Sequence, residues 1–156
     1  MKAVVNILKN NAPVAAETTR VYSNEVPQGA LLPYILVDVQ GSTNKNTTSG
    51  SGGYEILTVR VFSYSQRLYT EGTDVGAWDL GELVRTALDN VGGTNLGQVV
   101  DDILYESYST FNENTINHAK SVVEQIYEVT IKRDSIFDII AQFPVTPSAD
   151  EQEKLI

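Results

Sequence analysis

The sequence predicts an α+β domain with elements in the order α-β-β-α-β-β. A four-stranded, mostly antiparallel sheet is expected, with helices packed on one face. Three stretches carry this reading. Glu55 to Ser65 (EILTVRVFSYS) places Leu57, Val59 and Val61 on one side of a period-two pattern, and its Val, Ile, Thr, Phe and Tyr suit a pleated, half-buried surface. Ser121 to Lys132 sets Val123, Tyr127, Val129 and Ile131 against Glu124, Glu128, Thr130 and Lys132, as a half-buried antiparallel strand does. Between them, Leu80, Leu83, Val84, Ala87, Leu88 and Val91 recur at three- and four-residue spacing, which predicts a long helix over about 74–91.

The other elements follow in order. Val4, Val5, Ile7 and Leu8 form a helical stripe, so a short amphipathic helix is expected over 2–11, ending before Pro13. Val21 and Tyr22 read as a short extended piece. Pro27 and Pro33 flank Gly29, and this combination predicts a shaped, irregular turn, because Pro presets φ and Gly takes conformations other residues avoid. Tyr34 to Val39 is a strand. Gly41 to Gly53 (GSTNKNTTSGSGG) reads as a mobile low-complexity linker, which could become ordered against a partner or remain a plain surface loop. Thr73 or Asp74 is the expected N-cap of the long helix, and Gly92-Gly93 its end. Val99 to Tyr108 alternates only roughly, but Ile103 and Tyr105 favour a strand. Residues 109–120 are polar. After Arg133, Ile136, Phe137, Ile139, Ile140 and Phe143 cluster before Pro144, and a polar tail follows.

A chain of 156 residues fits one domain, able to bury roughly two-thirds of its unfolded surface. No apolar run approaches the ~20 residues that span a bilayer, and the N-terminus lacks the continuous apolar core of a secretory signal. A soluble, non-exported protein is therefore expected. The absence of cysteine excludes disulfides, thiolate chemistry and Cys-based zinc sites. A net charge of −9 argues against a phosphate-tracking nucleic-acid binder, which needs clustered Lys and Arg. The charge is lopsided. Residues 1–70 hold six basic and four acidic side chains, whereas 71–113 hold one basic and nine acidic.

Catalytic patterns are missing. With His118 as the single histidine, one chain can build neither a His-pair metal site nor a two-His relay; an exposed loop position is expected for it. Asp101 and Asp102 are adjacent on an expected strand and point to opposite faces, which fits solvated or interface charge better than a shared metal or proton. Gly50-Ser51-Gly52-Gly53 lacks the Lys-Ser/Thr of a phosphate loop and runs into a strand. The eight tyrosines could form a stacking face, but their spread over strands and loops favours core and interface roles.

Val21-Tyr22, then Val26-Pro27-Gln28-Gly29-Ala30-Leu31-Leu32-Pro33-Tyr34-Ile35, a strand ending Val61-Phe62-Ser63, and a helix with Leu83-Val84-Arg85-Thr86-Ala87-Leu88 together resemble one family. They look like the tail-completion proteins of long-tailed bacteriophages and prophages, also called tail terminator or head-to-tail joining proteins. The resemblance covers residues 1–133, its diagnostic part being the Pro27-Gln28-Gly29 to Pro33-Tyr34 block. Ser23 stands where the family often has Pro, and residues 134–156 form an extension without a clear counterpart. The resemblance implies a structural virion protein that is not an enzyme and needs no cofactor. It would form a ring, typically hexameric, at the head-proximal end of the tail tube, stop tube growth and offer a head-docking surface. Partners would be further copies of itself, the tail tube protein and a head-completion or connector protein, with DNA passing through the lumen. Assembly would take place in the host cytoplasm. On this basis the expected interface residues are Pro27, Gln28, Gly29 and Pro33 in the shaped loop, Lys45, Arg60 and Arg67 with Arg20 on the basic side, and Asp101 and Asp102 on the acidic side. The acidic surface would meet the basic side of the next subunit or line the lumen. The competing readings are another neck, connector or baseplate component, and a monomeric ligand-binding or hydrolytic α+β domain.

Overall fold

The computed structural model describes residues 2–46, 53–95, 98–115 and 118–133. Its elements are α1 (Lys2–Asn10), α2 (Ala12–Glu17), β1 (Val21–Ser23), β2 (Tyr34–Asn46), β3 (Gly53–Ser65), α3 (Ala77–Leu88), β4 (Gly93–Asn95), β5 (Gln98–Thr115) and β6 (His118–Arg133). The α+β class holds, but the sheet has six strands in the order β1-β2-β3-β6-β5-β4, not four. The two additions are the three-residue margins β1 and β4. Because β1 runs parallel to β2 while all other pairs are antiparallel, the sheet is mixed.

The helices cover one face. Leu57, Val59 and Val61 of β3 and Val129 and Ile131 of β6 are buried there with Ala3, Val4 and Leu8 of α1, Val14 of α2, and Leu80, Val84 and Leu88 of α3. Val123 is buried as well. The alternation read from the sequence is thus the burial pattern. Gln125 sits among these residues at 2 % exposure, its Nε2 donating to the Gly81 carbonyl at 2.9 Å while Tyr127 Oη donates to its Oε1 at 3.0 Å.

Several local expectations are corrected. Pro13 does not break the chain away from helix: it stands in the first turn of α2, where its missing N–H costs no helical bond, and Asn11 Oδ1 caps that helix from Val14 N. Gly76, not Thr73 or Asp74, precedes α3, and no side chain caps it. The free amides of Ala77 and Trp78 donate instead to the carbonyls of Arg67 and Leu68, each at 2.8 Å. Such close approach requires glycine, since a Cβ at Gly76 would lie 2.4 Å from the Tyr69 carbonyl carbon. The helix ends at Leu88, with Asn90 at φ 60 turning the chain, so Gly92 and Gly93 serve the entry to β4 and do not cap α3.

Gly41 to Gly53 is not one linker. Gly41 to Asn46 pairs with Gly53 to Thr58, which lengthens the β2–β3 hairpin, while residues 47–52 lie outside the described residues. β5 likewise continues through the polar stretch to Thr115, and His118 opens β6 instead of standing in a loop. The expected apolar cluster and tail of 134–156 lie outside the described residues.

Candidate interaction surface

Among the described residues, the second face of the sheet carries no helix. At one end of it, the segment from Val26 to Pro33 folds back over β2 and β3. Val26, Ala30 and Leu32 pack against Tyr34, Tyr64 and Val122. The fold-back is held from below: Arg20 Nε donates to Leu31 O at 2.8 Å and Pro33 O at 3.1 Å, its Nη2 donates to Leu32 O at 3.3 Å, and Thr18 Oγ1 donates to Pro33 O at 2.8 Å. Gly29 takes φ 79, the Leu32–Pro33 peptide is cis, and Ala30 N closes a turn onto Pro27 O. Pro27, Gln28 and Gly29 are exposed at the tip, and Leu31 is 70 % exposed. The predicted shaped loop is therefore present, but Arg20 acts as its internal clamp.

Between this loop and the β5–β6 end lies a cleft of about 560 Å³. Tyr34 and Tyr64 stack at 4.6 Å in its wall, and Lys120 Nζ stands over both rings while donating to Tyr34 Oη at 3.3 Å. Burial, then the Glu113 carboxylate beside it, pushes the Tyr64 hydroxyl up to about 12. Tyr34 and Tyr64 were visible only as tyrosines among eight; Glu113 and Lys120 carried no sequence signal at all, because the cluster joins residues up to 86 positions apart.

Further along the same face, Arg60 Nη2 meets Asp38 Oδ2 at 2.7 Å across β2 and β3, with its guanidinium 5.4 Å from the Phe62 ring centre. Arg60 is thus paired within the chain, as is Arg67, which bridges to Glu71 four residues on in the segment between β3 and α3. Lys45 lies opposite Tyr54 near the far end of β2. Asp101 is the extra residue of a β-bulge between Val100 and Asp102, and Asp102 Oδ1 accepts from Ile103 N at 2.9 Å. The candidates do not converge. Pro27, Gln28, Gly29, Pro33 and Arg67 gather at one end of the sheet and Lys45, Asp101 and Asp102 at the other, roughly 33 Å away at strand rise over the ten residues from Tyr54 to Tyr64.

Six of the nine acidic residues of 71–113 fall on β5 and α3. β5 carries Asp101, Asp102, Glu106 and Glu113 and no basic residue, beside α3 with Asp79 and Glu82. Among the described residues its outer edge is open from Glu106 onward: β4 covers only Gln98 to Val100, and every residue from Glu106 to Glu113 is exposed. Among them, Tyr108 is 54 % and Phe111 40 % exposed.

The family described as tail completion protein gp17 matches residues 2–125, the region that holds the whole fold-back loop, α3 and β5. The chain belongs to that family. No curated protein matches it. Among solved structures, a chain described as "Virion of native gene transfer agent (GTA) particle" is similar in fold, with a TM-score of 0.57 at 13% identity over 83% of this chain and 92% of that one. As a tail completion protein, the chain is a structural component of a phage-like tail, and both surfaces described above are candidates for its contacts there.

Proposed function

We propose that this tail completion protein forms a ring on the head-proximal end of the tail tube, ends tube polymerisation and presents the surface to which the head docks. The observation that carries this reading is the family match across residues 2–125. The molecule's build supports it. A head-to-tail ring needs two different, complementary surfaces on one subunit, and here the acidic β5 side stands opposite the β2 side, whose margin beyond Val39 carries Lys45 and no acid. The role is structural and non-enzymatic. Its partners are further copies, six in a hexamer, the tail tube protein below and a head-completion or connector protein above, with DNA crossing the lumen.

The test joins sedimentation of the purified protein, over a concentration and salt series, to electron microscopy of tails assembled with and without it. The expected result is a closed oligomer, and tubes of uniform length only when the protein is present. Charge pairs between subunits loosen as salt takes the Debye length below about 10 Å, whereas an acidic lumen is relieved by the same salt. A protein that stays monomeric throughout and never caps a tube removes the ring reading. Localisation away from the neck on labelled virions transfers the function to a connector or baseplate position.

A further inference from the structure

Among the described residues, both long outer strands have a main-chain edge that stays open over part of its length. On β2, β1 reaches only Ile35 to Val37, with Asn24 N donating to Val37 O; beyond Val39 no strand lies alongside among the described residues, and Gln40 to Thr43 are exposed. On β5, β4 reaches Val100, and the end of α3 then satisfies the edge, with Asn90 N on Ile103 O and Asp89 Oδ1 receiving Tyr105 N. From Glu106 onward, among the described residues, no strand covers it. Long open edges are templates for another strand, and isolated domains usually blunt them with lysines, prolines or covering segments. The open part of β5 has neither Lys nor Pro and exposes Tyr108 and Phe111.

We propose that the open edge of β5 in one subunit pairs, antiparallel, with the open edge of β2 in the next copy of this chain, so that the sheet continues from subunit to subunit; this rests on the ring reading above. Three observations select a second copy as the occupant. The two edges lie on opposite margins of one sheet, as a head-to-tail contact requires. β2 and β5 run in opposite directions, because three antiparallel steps separate them, so a β5 laid beside the next β2 makes an antiparallel ladder. The charges agree: the open part of β5 carries Glu106 and Glu113 and no basic residue, while β2 beyond Val39 carries Lys45 alone. Each open stretch is the C-terminal part of its strand, and because the strands are antiparallel the two sit at opposite ends of the sheet, so neighbouring sheets meet with an axial offset. Strands are then tilted against the ring axis, as in any closed sheet.

Cysteine cross-linking tests the pairing, since the chain has no cysteine of its own. Double variants carry one cysteine at Gln40, Ser42 or Thr43 and one at Ser107, Ser109 or Thr110, all exposed positions. Disulfides need Cβ atoms about 3.5–4.5 Å apart, so only residues facing each other across a ladder will link. The expected result is a covalent ladder of oligomers under mild oxidation for pairs whose residue numbers share one sum, several-fold above mismatched pairs, while single-cysteine parents stop at dimers. Rings that form by mass but give no ladder with any pair overturn the edge pairing and leave the ring reading intact. A linking pattern of constant difference, which marks a parallel ladder, also overturns it. Monomers under all conditions overturn both.

Discussion

Gln125 is polar in the middle of an apolar helix–sheet seam, and two bonds explain its place. Its amide ties the sheet to the α3 backbone at Gly81 and gives the Tyr127 hydroxyl a partner in a fully buried site. Gly81 lets the strand come near, since a Cβ there would stand 3.2 Å from Val123 Cγ1. Replacing Gln125 by Leu keeps the volume but strands the buried hydroxyl, and a buried unsatisfied donor costs about 1–3 kcal/mol. The Gln125→Leu variant should lose about that much in a urea melt, and adding Tyr127→Phe should recover most of it. Additive losses in the double variant would show that the hydroxyl was satisfied another way. The sequence offered Gln125 only as a break in an alternating strand; its role depends on Gly81, 44 positions away.

At the scale of elements, the long helix was legible, and the long strand only as far as Tyr108. Leu80, Val84 and Leu88 repeat because one face of α3 is buried and the other is wet, so burial writes its period into the sequence. Leu88 is fully buried under that face, and Leu88→Ala should cost about 2–5 kcal/mol in a denaturant melt. Indifference to it would mean that α3 is not the cover of the sheet. β5 shows the converse. Its bulges put Val100, Ile103, Tyr105 and Tyr108 toward the helix side at spacings of three, two and three, which resembles neither a strand nor a helix period. From Ser109 to Glu113 both faces are wet, so no alternation remains to be read there. β4 is three residues long and carries no pattern. The shaped loop was legible because Pro and Gly constrain the backbone locally, but the tyrosine, Glu113 and Lys120 cluster against which it forms a cleft is made by tertiary contact.

For the molecule as a whole, buried phenols set the alkaline limit. Burial and then the Glu113 carboxylate raise Tyr64 to about 12, and burial raises Tyr127 as well. In the unfolded chain a tyrosine loses its proton near pH 10, while the folded one still holds it, so above that pH the folded state binds more protons and stability falls. The contribution is intact below about pH 10 and is lost as pH rises toward 12. Melting the protein across that range should show a decline of about 2 kcal/mol or more, and Tyr64→Phe should make the decline shallower. An unchanged slope in that variant would mean that Tyr64 ionises freely in the folded state.

The register shifts have a geometric consequence for the sheet itself. Along β5, the 17 residues from Val99 to Thr115 lie opposite the 15 from His118 to Lys132, and along β2, the 13 from Tyr34 to Asn46 lie opposite the 12 from Gly53 to Tyr64. Both margins are therefore longer than the middle. Bulges bend a strand and raise its twist, and a surface with surplus length at two opposite margins can be neither flat nor bowl-shaped. It must be a saddle, the local form of a hyperboloid. In the ring proposed above, such saddles repeated about an axis would enclose a passage that is narrowest at mid-height and flares toward both mouths.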